Sequence, residues 1–320
     1  MNEPYVSFDL EKLRKNISVL EKIQGIQFLY PVKCCTHPDV LDIIGESSFG
    51  FDVSNLNEFK LVRPYIKNDT IVTSSGPLSY QLYEKYETKY IVFFNSLVHV
   101  PRGNIQGLRI NFNDDPSFEK SHFGVALSEI PSDLLYQLRY IHFHNSDHRD
   151  RGKCESILKQ IEIIVSKFKN LRALDVGGHL EDLSTEDALW FIKEVRNIVP
   201  DHIFLYAEIG DFLFRDCGLL KCEVVDSYID NTIYKQIVIL NFSKMANQRW
   251  VYPSITVSSS DLVETVFYGC SCCETDLYLE SEYPIVHKGD ELLFKNISTY
   301  AYEWNNSFNG INKIKIIFNK

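Results

Sequence analysis

No stretch of this chain is apolar for long. The most hydrophobic run, Tyr90 to Val100, is broken by Asn95, Ser96 and His99, and a membrane helix needs roughly 20 apolar residues. Met1 to Asn16 mixes acids with apolar side chains and lacks a basic segment followed by an apolar core and a small-residue cleavage site. No secretory leader is therefore predicted, and a soluble, cytoplasmic protein is expected. Positive charge is in short supply: 33 Lys and Arg stand against 43 Asp and Glu, a net charge of −10. This argues against nucleic acid as a partner, because displacing counterions from a phosphate backbone takes clustered cations. Small cationic ligands suit such a balance better. Separated C-x-x-C pairs are also missing, since the 8 cysteines fall at Cys34-Cys35, Cys154, Cys217, Cys222, Cys270 and Cys272-Cys273. Reduced thiols are expected, and no metal site. Low-complexity segments, long linkers and internal repeats are absent as well.

What remains is ordinary globular material: 320 residues, 45% hydrophobic and 24% charged. At roughly 150 residues per domain this length predicts about two domains. Short apolar runs read as strands at Gln27–Val32, Phe49–Asp52, Thr70–Ser74, Tyr90–Phe94, Gly107–Asn111, Tyr140–Phe143, Leu171–Asp175 and Ile203–Ala207. Helical spacing is seen after the cap residue Asp9, then at Pro38–Gly45, Leu56–Arg63, Leu78–Tyr86, Pro131–Leu138, Lys153–Phe168 and Ser184–Ile198, while Ser96–Gly107 and Phe112–Ile130 are less regular. Strand and helix in alternation through eight units predict a closed (β/α)8 barrel over residues 9–212. After Gly210 the texture changes to short β-like segments such as Gln236–Leu240, Ser254–Val257, Glu291–Phe294 and Ile311–Phe318. An all-β domain is expected over residues 213–320, joined by residues 1–8.

In a barrel the chemistry sits just beyond the strand ends. Here those positions hold Lys33, Asp52 with Ser54, Ser74 to Gly76, Asn95, Arg109 with Asn111, His142 with His144, Asp175 to Gly178, and Glu208. A lysine at a barrel mouth can be desolvated enough to attack an aldehyde. Consecutive glycines let backbone N–H groups approach an anion. Histidines two apart on a strand share one face, suited to a flat ligand or a metal. Taken singly, each also has a plain reading: a solvated lysine, a turn, an ion-paired carboxylate.

In order and spacing these pieces resemble the fold-type III pyridoxal-phosphate decarboxylases, the family of ornithine, diaminopimelate and carboxynorspermidine decarboxylases. Pro31-Val-Lys33 resembles the segment holding the Schiff-base lysine, and Gly50-Phe-Asp-Val-Ser-Asn-Leu-Asn-Glu58 the stretch that follows it. Ile141-His-Phe-His144 resembles the strand whose second histidine stacks on the cofactor. Leu174-Asp-Val-Gly-Gly178 resembles the phosphate loop, and Ala207-Glu208-Ile-Gly210 the segment whose glutamate meets the pyridine nitrogen. Farther on, Gly269-Cys-Ser-Cys272-Cys-Glu-Thr-Asp276 and Gly289-Asp290, with Tyr300 and Ser307-Phe-Asn-Gly310, match the family's closing elements. The pattern is closest to the carboxynorspermidine branch.

The resemblance implies pyridoxal 5'-phosphate as cofactor, attached at Lys33, with His144 on the ring and Glu208 at its nitrogen. Gly177, Gly178 and Tyr300 would hold the phosphate, and Asp52 and Arg109 would lie near the attachment point. It further implies Cys272 as the thiol that reprotonates the product or positions the leaving carboxylate, with Cys273 as the alternative register. Asp276 would meet a distal amine, and a homodimer would share its sites between subunits. The implied reaction is decarboxylation of a small amino acid bearing a distal amine or an aminocarboxypropyl group, in polyamine or natural-product biosynthesis. A catalytically silent relative and an alanine racemase-like enzyme are the alternatives. The chain departs from the family at Ile209 for proline, Asp211 for arginine, His179 for a third glycine, and Asn145-Ser146 after the stacking histidine.

Overall fold

The computed structural model describes residues 2–101, 107–232, 235–257 and 260–320; part of the irregular stretch Ser96–Gly107 therefore lies outside the described residues. The chain divides into two compact units, one of residues 18–212 and one of residues 1–17 with 213–320.

The first unit is a closed barrel of eight parallel strands. Gln27–Pro31, Gly50–Val53, Val72–Ser74, Ile91–Phe94, Gly107–Asn111, Tyr140–Phe143, Ala173–Asp175 and Phe204–Glu208 follow one another around it, the last pairing back onto the first. A two-residue strand, Val125–Ala126, adds beside Gly107–Asn111. Four of the longer helices begin where a side chain accepts from a free backbone N–H, which stabilises a helix start by about 1 kcal/mol. Asp9 does this for Leu10–Leu20, Asn55 for Leu56–Val62, Asp150 for Arg151–Lys167 and Ser184 for Thr185–Ile198. The helix foreseen over Pro131–Leu138 is a single turn, Ser132–Leu135.

Side chains alternate between the two faces of a strand, and this alternation builds the barrel interior in layers. Leu29, Ala173 and Tyr206 pack together, with Ile71, Ile91 and Tyr140 against them. Gly50 and Gly107 belong to the same level, where larger residues would not fit. A Cβ on Gly50 would lie 2.4 Å from the Ile71 carbonyl, and one on Gly107 would lie 2.8 Å from the Phe93 ring. Two residues farther along these strands, the same inward face presents Asp52, Thr73, Arg109, His142, Asp175 and Glu208. The apolar layer thus carries a buried polar one on the side of the strand C-termini.

The second unit is an eight-stranded mixed sheet with a continuous core that includes Val6, Phe8, Leu220, Val224, Val238, Phe267, Leu292 and Phe294. Its longest strand, Gly218–Asp230, was not among the segments foreseen; its buried positions, Leu220, Cys222 and Val224, alternate as one buried face requires. Tyr5–Asp9 lies between this strand and Lys315–Asn319, antiparallel to the former and parallel to the latter. No helix among the described residues is long and apolar enough to cross a membrane.

Candidate active site

The first barrel strand stops one residue earlier than its apolar run, at Pro31, and Val32–Cys34 forms a 3-10 turn. That turn buries Val32 and Cys34 and leaves Lys33 exposed. The lysine is therefore not desolvated in the way the sequence alone suggested. Its ammonium nevertheless acts electrostatically on Asp52, His142, His144 and Glu208, which places it over the polar layer.

Within that layer each carboxylate has specific partners. Asp52 accepts from Thr73 Oγ1 at 2.8 Å and from Ser75 Oγ at 3.1 Å. Arg109 Nη1 donates to the Ser75 carbonyl at 3.0 Å, and its guanidinium covers the Phe123 ring at 4.9 Å. Glu208 Oε1 lies 2.8 Å from His142 Nε2. Asp175 Oδ1 accepts from Gly177 N at 3.0 Å, while its Oδ2 is buried without a partner. Burial raises the pKa of all three acids. Asp52 is pushed up to about 6, with the charge of Glu208 adding to the effect. Asp175 rises well above the carboxylate range, again by burial and then by Glu208 and Asp52. Glu208 is raised by burial, against the pull of Lys33 and Arg109. Burial and then the neighbouring cations hold both His142 and His144 well below the usual histidine value, so both rings are neutral at pH 7.

These shifts fix a pH dependence for the coenzyme-free chain. The folded pKa of Asp52 exceeds its unfolded value of 3.8, so the stability it contributes is complete below that value and is lost as pH rises through about 6. The loss amounts to roughly 3 kcal/mol for a shift of about two units. Denaturant unfolding at pH 5 and pH 8 is expected to show lower stability at pH 8, with a smaller difference in Asp52→Asn; a difference unaffected by this substitution would contradict the assignment.

The glycine pair packs the loops together. Gly178 N donates to His144 Nδ1 at 3.2 Å, so the backbone N–H groups of Gly177 and Gly178, expected to face a phosphate, are both engaged within the chain. A Cβ on Gly178 would lie 2.5 Å from the Glu208 carbonyl; Gly177, at φ +65°, passes equally close to the Phe143 carbonyl. The bond from Gly178 also fixes the His144 tautomer: Nδ1 carries the lone pair and Nε2 the proton. His179, where the family has glycine, keeps the left-handed backbone at φ +71°, and its ring meets Glu181 at 2.9 Å and Asp182 at 3.1 Å.

Cys272, Asp276 and Tyr300 belong to the other unit, where hydrogen bonds join their segments. Cys272 is exposed, and its N donates to Asn309 Oδ1 at 3.0 Å. Asp276 is buried, accepting from Met245 N at 3.2 Å and Ser271 N at 3.0 Å, so it organises the turn that carries Cys272. Tyr300 stands edge-on to Trp250, with ring centroids 5.2 Å apart. His142 and Asp175 were visible as strand-end residues but were not selected as site residues. The signal that finds them is the two-residue step from the apolar barrel layer.

The residues at the barrel mouth fit a pyridine aldehyde with a basic, protonatable ring nitrogen. They offer an exposed amine, a partly exposed neutral imidazole and a carboxylate whose Oε2 stands 4.0 Å from the His144 lone pair on Nδ1, which cannot donate to it.

No family model and no curated protein matches this sequence. Solved structures share its fold across nearly the whole chain. The arginine decarboxylase of Paramecium bursaria Chlorella virus is 18% identical with a TM-score of 0.79, covering 100% of this chain and 96% of its own. The carboxynorspermidine decarboxylase of Campylobacter jejuni, complexed with norspermidine, is 22% identical with a TM-score of 0.74, covering 99% and 94%. The lysine/ornithine decarboxylase of Vibrio vulnificus, complexed with putrescine, is 16% identical with a TM-score of 0.78, covering 99% and 94%. The carboxynorspermidine branch is not singled out among them.

Proposed function

We propose that this chain is a pyridoxal-phosphate-dependent amino-acid decarboxylase. The observation that carries the reading is that Lys33, His144 and Glu208 all stand at the C-terminal ends of strands of one closed parallel barrel, with Asp52, Arg109, His142 and Asp175 in the same buried layer as Glu208. The fold shared with decarboxylases supports it.

Lys33 would hold the coenzyme through its aldehyde, with the His144 ring against one face and Glu208 Oε2 at the ring nitrogen. When bound, the coenzyme supplies the electron sink for the pair left by departing carbon dioxide. Glu208, as a carboxylate, would accept a hydrogen bond from the protonated ring nitrogen and so keep that proton on the ring. Asp52 and Arg109 tie the second, third and fifth strands together through Thr73 and Ser75. With the N–H groups of the glycine pair engaged, other groups would have to hold the phosphate, and the resemblance assigns Tyr300 to it. The thiol of Cys272 would return the proton, and Asp276 would hold its loop in shape.

The substrate class we infer is an amino acid with a distal amine or an aminocarboxypropyl group. The net charge of −10 suits a cationic substrate, and structures of this fold hold agmatine, norspermidine and putrescine. Carbon dioxide release from a panel of diamino acids and carboxylated polyamines, dependent on added pyridoxal phosphate, tests the reading; release from none would overturn it. The resemblance further implies a homodimer in which Cys272 serves the partner's barrel. Mixing Lys33→Ala and Cys272→Ala proteins is then expected to restore about a quarter of native activity, because half of the dimers are mixed and each has one intact site. Activity no higher than that of either variant alone would exclude shared sites.

A further inference from the structure

Glu208 is the residue on which the ring chemistry turns, yet its surroundings oppose its charge. It is buried beside two other acids, Asp52 and Asp175. Unpaired, a carboxylate in such a place takes up a proton and no longer supports the charge of a protonated ring nitrogen. Something must hold it ionised.

His144 does not do so, because its Nδ1 lone pair already accepts from Gly178 N. Lys33 and Arg109 contribute charge, but neither is hydrogen-bonded to Glu208 among the described residues. Ser75 has a single hydroxyl proton to divide between Asp52 and Glu208. That leaves His142. It is 1% exposed and tilts against the Phe93 ring at 5.2 Å, which sets its plane. Its Nε2 lies 2.8 Å from Glu208 Oε1, and its Nδ1 is buried with no hydrogen-bond partner among the described residues. The neutral ring has one proton to place. On Nε2 it is shared with a carboxylate and leaves a bare lone pair on Nδ1; on Nδ1 it would be a buried donor with nothing to accept it, the costlier arrangement.

We propose that His142 is a positioning residue: through Nε2–H it holds Oε1 of Glu208, which keeps the side chain a carboxylate and leaves Oε2 as the oxygen that meets the coenzyme's ring nitrogen. The groups facing this pair are Asp52, Asp175, Arg109, Lys33 and His144, with the Tyr206 phenol, pushed up to about 12, near Asp175. The inference rests on the decarboxylase reading for its consequence, but the pairing itself is testable without coenzyme.

His142→Phe removes the donor and keeps a flat ring, and His142→Gln restores an N–H. In the coenzyme-free protein, the Tm deficit of His142→Phe against wild type is expected to be larger at pH 8 than at pH 5, by about 3 °C or more. The difference should disappear in a Glu208→Gln background, where no charge is left to support. A deficit equal at the two pH values, or unchanged by Glu208→Gln, would show that residue 142 only fills space and would overturn the proposal. In the loaded enzyme, His142→Phe is expected to lower kcat by about 100-fold with KM little changed, to shift the acid limb of the pH profile upward, and to recover most of its activity as His142→Gln. Wild-type activity and an unmoved acid limb in His142→Phe would also overturn it. Failure of the wild type to take up coenzyme would count against the functional reading and leave the coenzyme-free experiment decisive for His142.

Discussion

Lys33→Ala is expected to abolish covalent capture of pyridoxal phosphate and to lower decarboxylation by roughly 10,000-fold or more, the scale of losing a residue around which a whole reaction is arranged. Borohydride reduction followed by peptide mass analysis should find the pyridoxyl group on Lys33 in the wild type and nowhere in the variant. The substitution should fold well, because the side chain is exposed while its neighbours Val32 and Cys34 do the packing. This separates a chemical loss from a structural one: unchanged unfolding with no adduct supports the assignment, whereas an adduct on another lysine would move the site elsewhere.

The second large effect is at Glu208. Replacing it with alanine is expected to cost about 100- to 1,000-fold in kcat, the range for removing one preorganised electrostatic partner of the reacting centre. Attachment at Lys33 should survive, since the amine is untouched. A second consequence is distinctive. The charge of Glu208 helps raise both Asp52 and Asp175, so its removal should lower the pKa of Asp52 from about 6 toward the ordinary carboxylate value. Carboxyl titration followed by NMR would show this. An Asp52 resonance that titrates at the same pH in both proteins would mean the two acids do not share a field.

The sequence revealed the barrel because a strand buried on both faces reads as an unbroken apolar run, and Phe28 to Val32 or Ile91 to Phe94 cannot easily be read otherwise. Most strand limits agree to within a residue or two. The sequence was less informative where the residue type was plain but its environment was not. Lys33 reads as a candidate for burial, yet in the turn after Pro31 it is exposed while Val32 and Cys34 are buried. The glycine pair looked like an anion cradle, but whether an N–H is free depends on Asp175 and His144. Asp276 has the right spacing for a family position, but only packing shows that Met245 and Ser271 engage it. His142 and Asp175 were passed over because one strand read alone has no inside; the inside is defined by the layer beneath, assembled from residues far apart in sequence. In the second unit, Gly218–Asp230 is hard to read because its alternation breaks near the end, where Tyr228 and Ile229 are apolar but exposed.

The parallel pairing of Tyr5–Asp9 with Lys315–Asn319 has a consequence for biosynthesis. Apart from the closing pair of Phe204–Glu208 with Gln27–Pro31, each of the eight barrel strands pairs with the one made just before it. In the other sheet Tyr5–Asp9 pairs with Gly218–Asp230 and Lys315–Asn319, both far along the chain, which makes its closure a long-range and slow event. During that interval the edge of Tyr5–Asp9 is open to other chains, so crowded expression should favour aggregation through this strand over failure of the barrel.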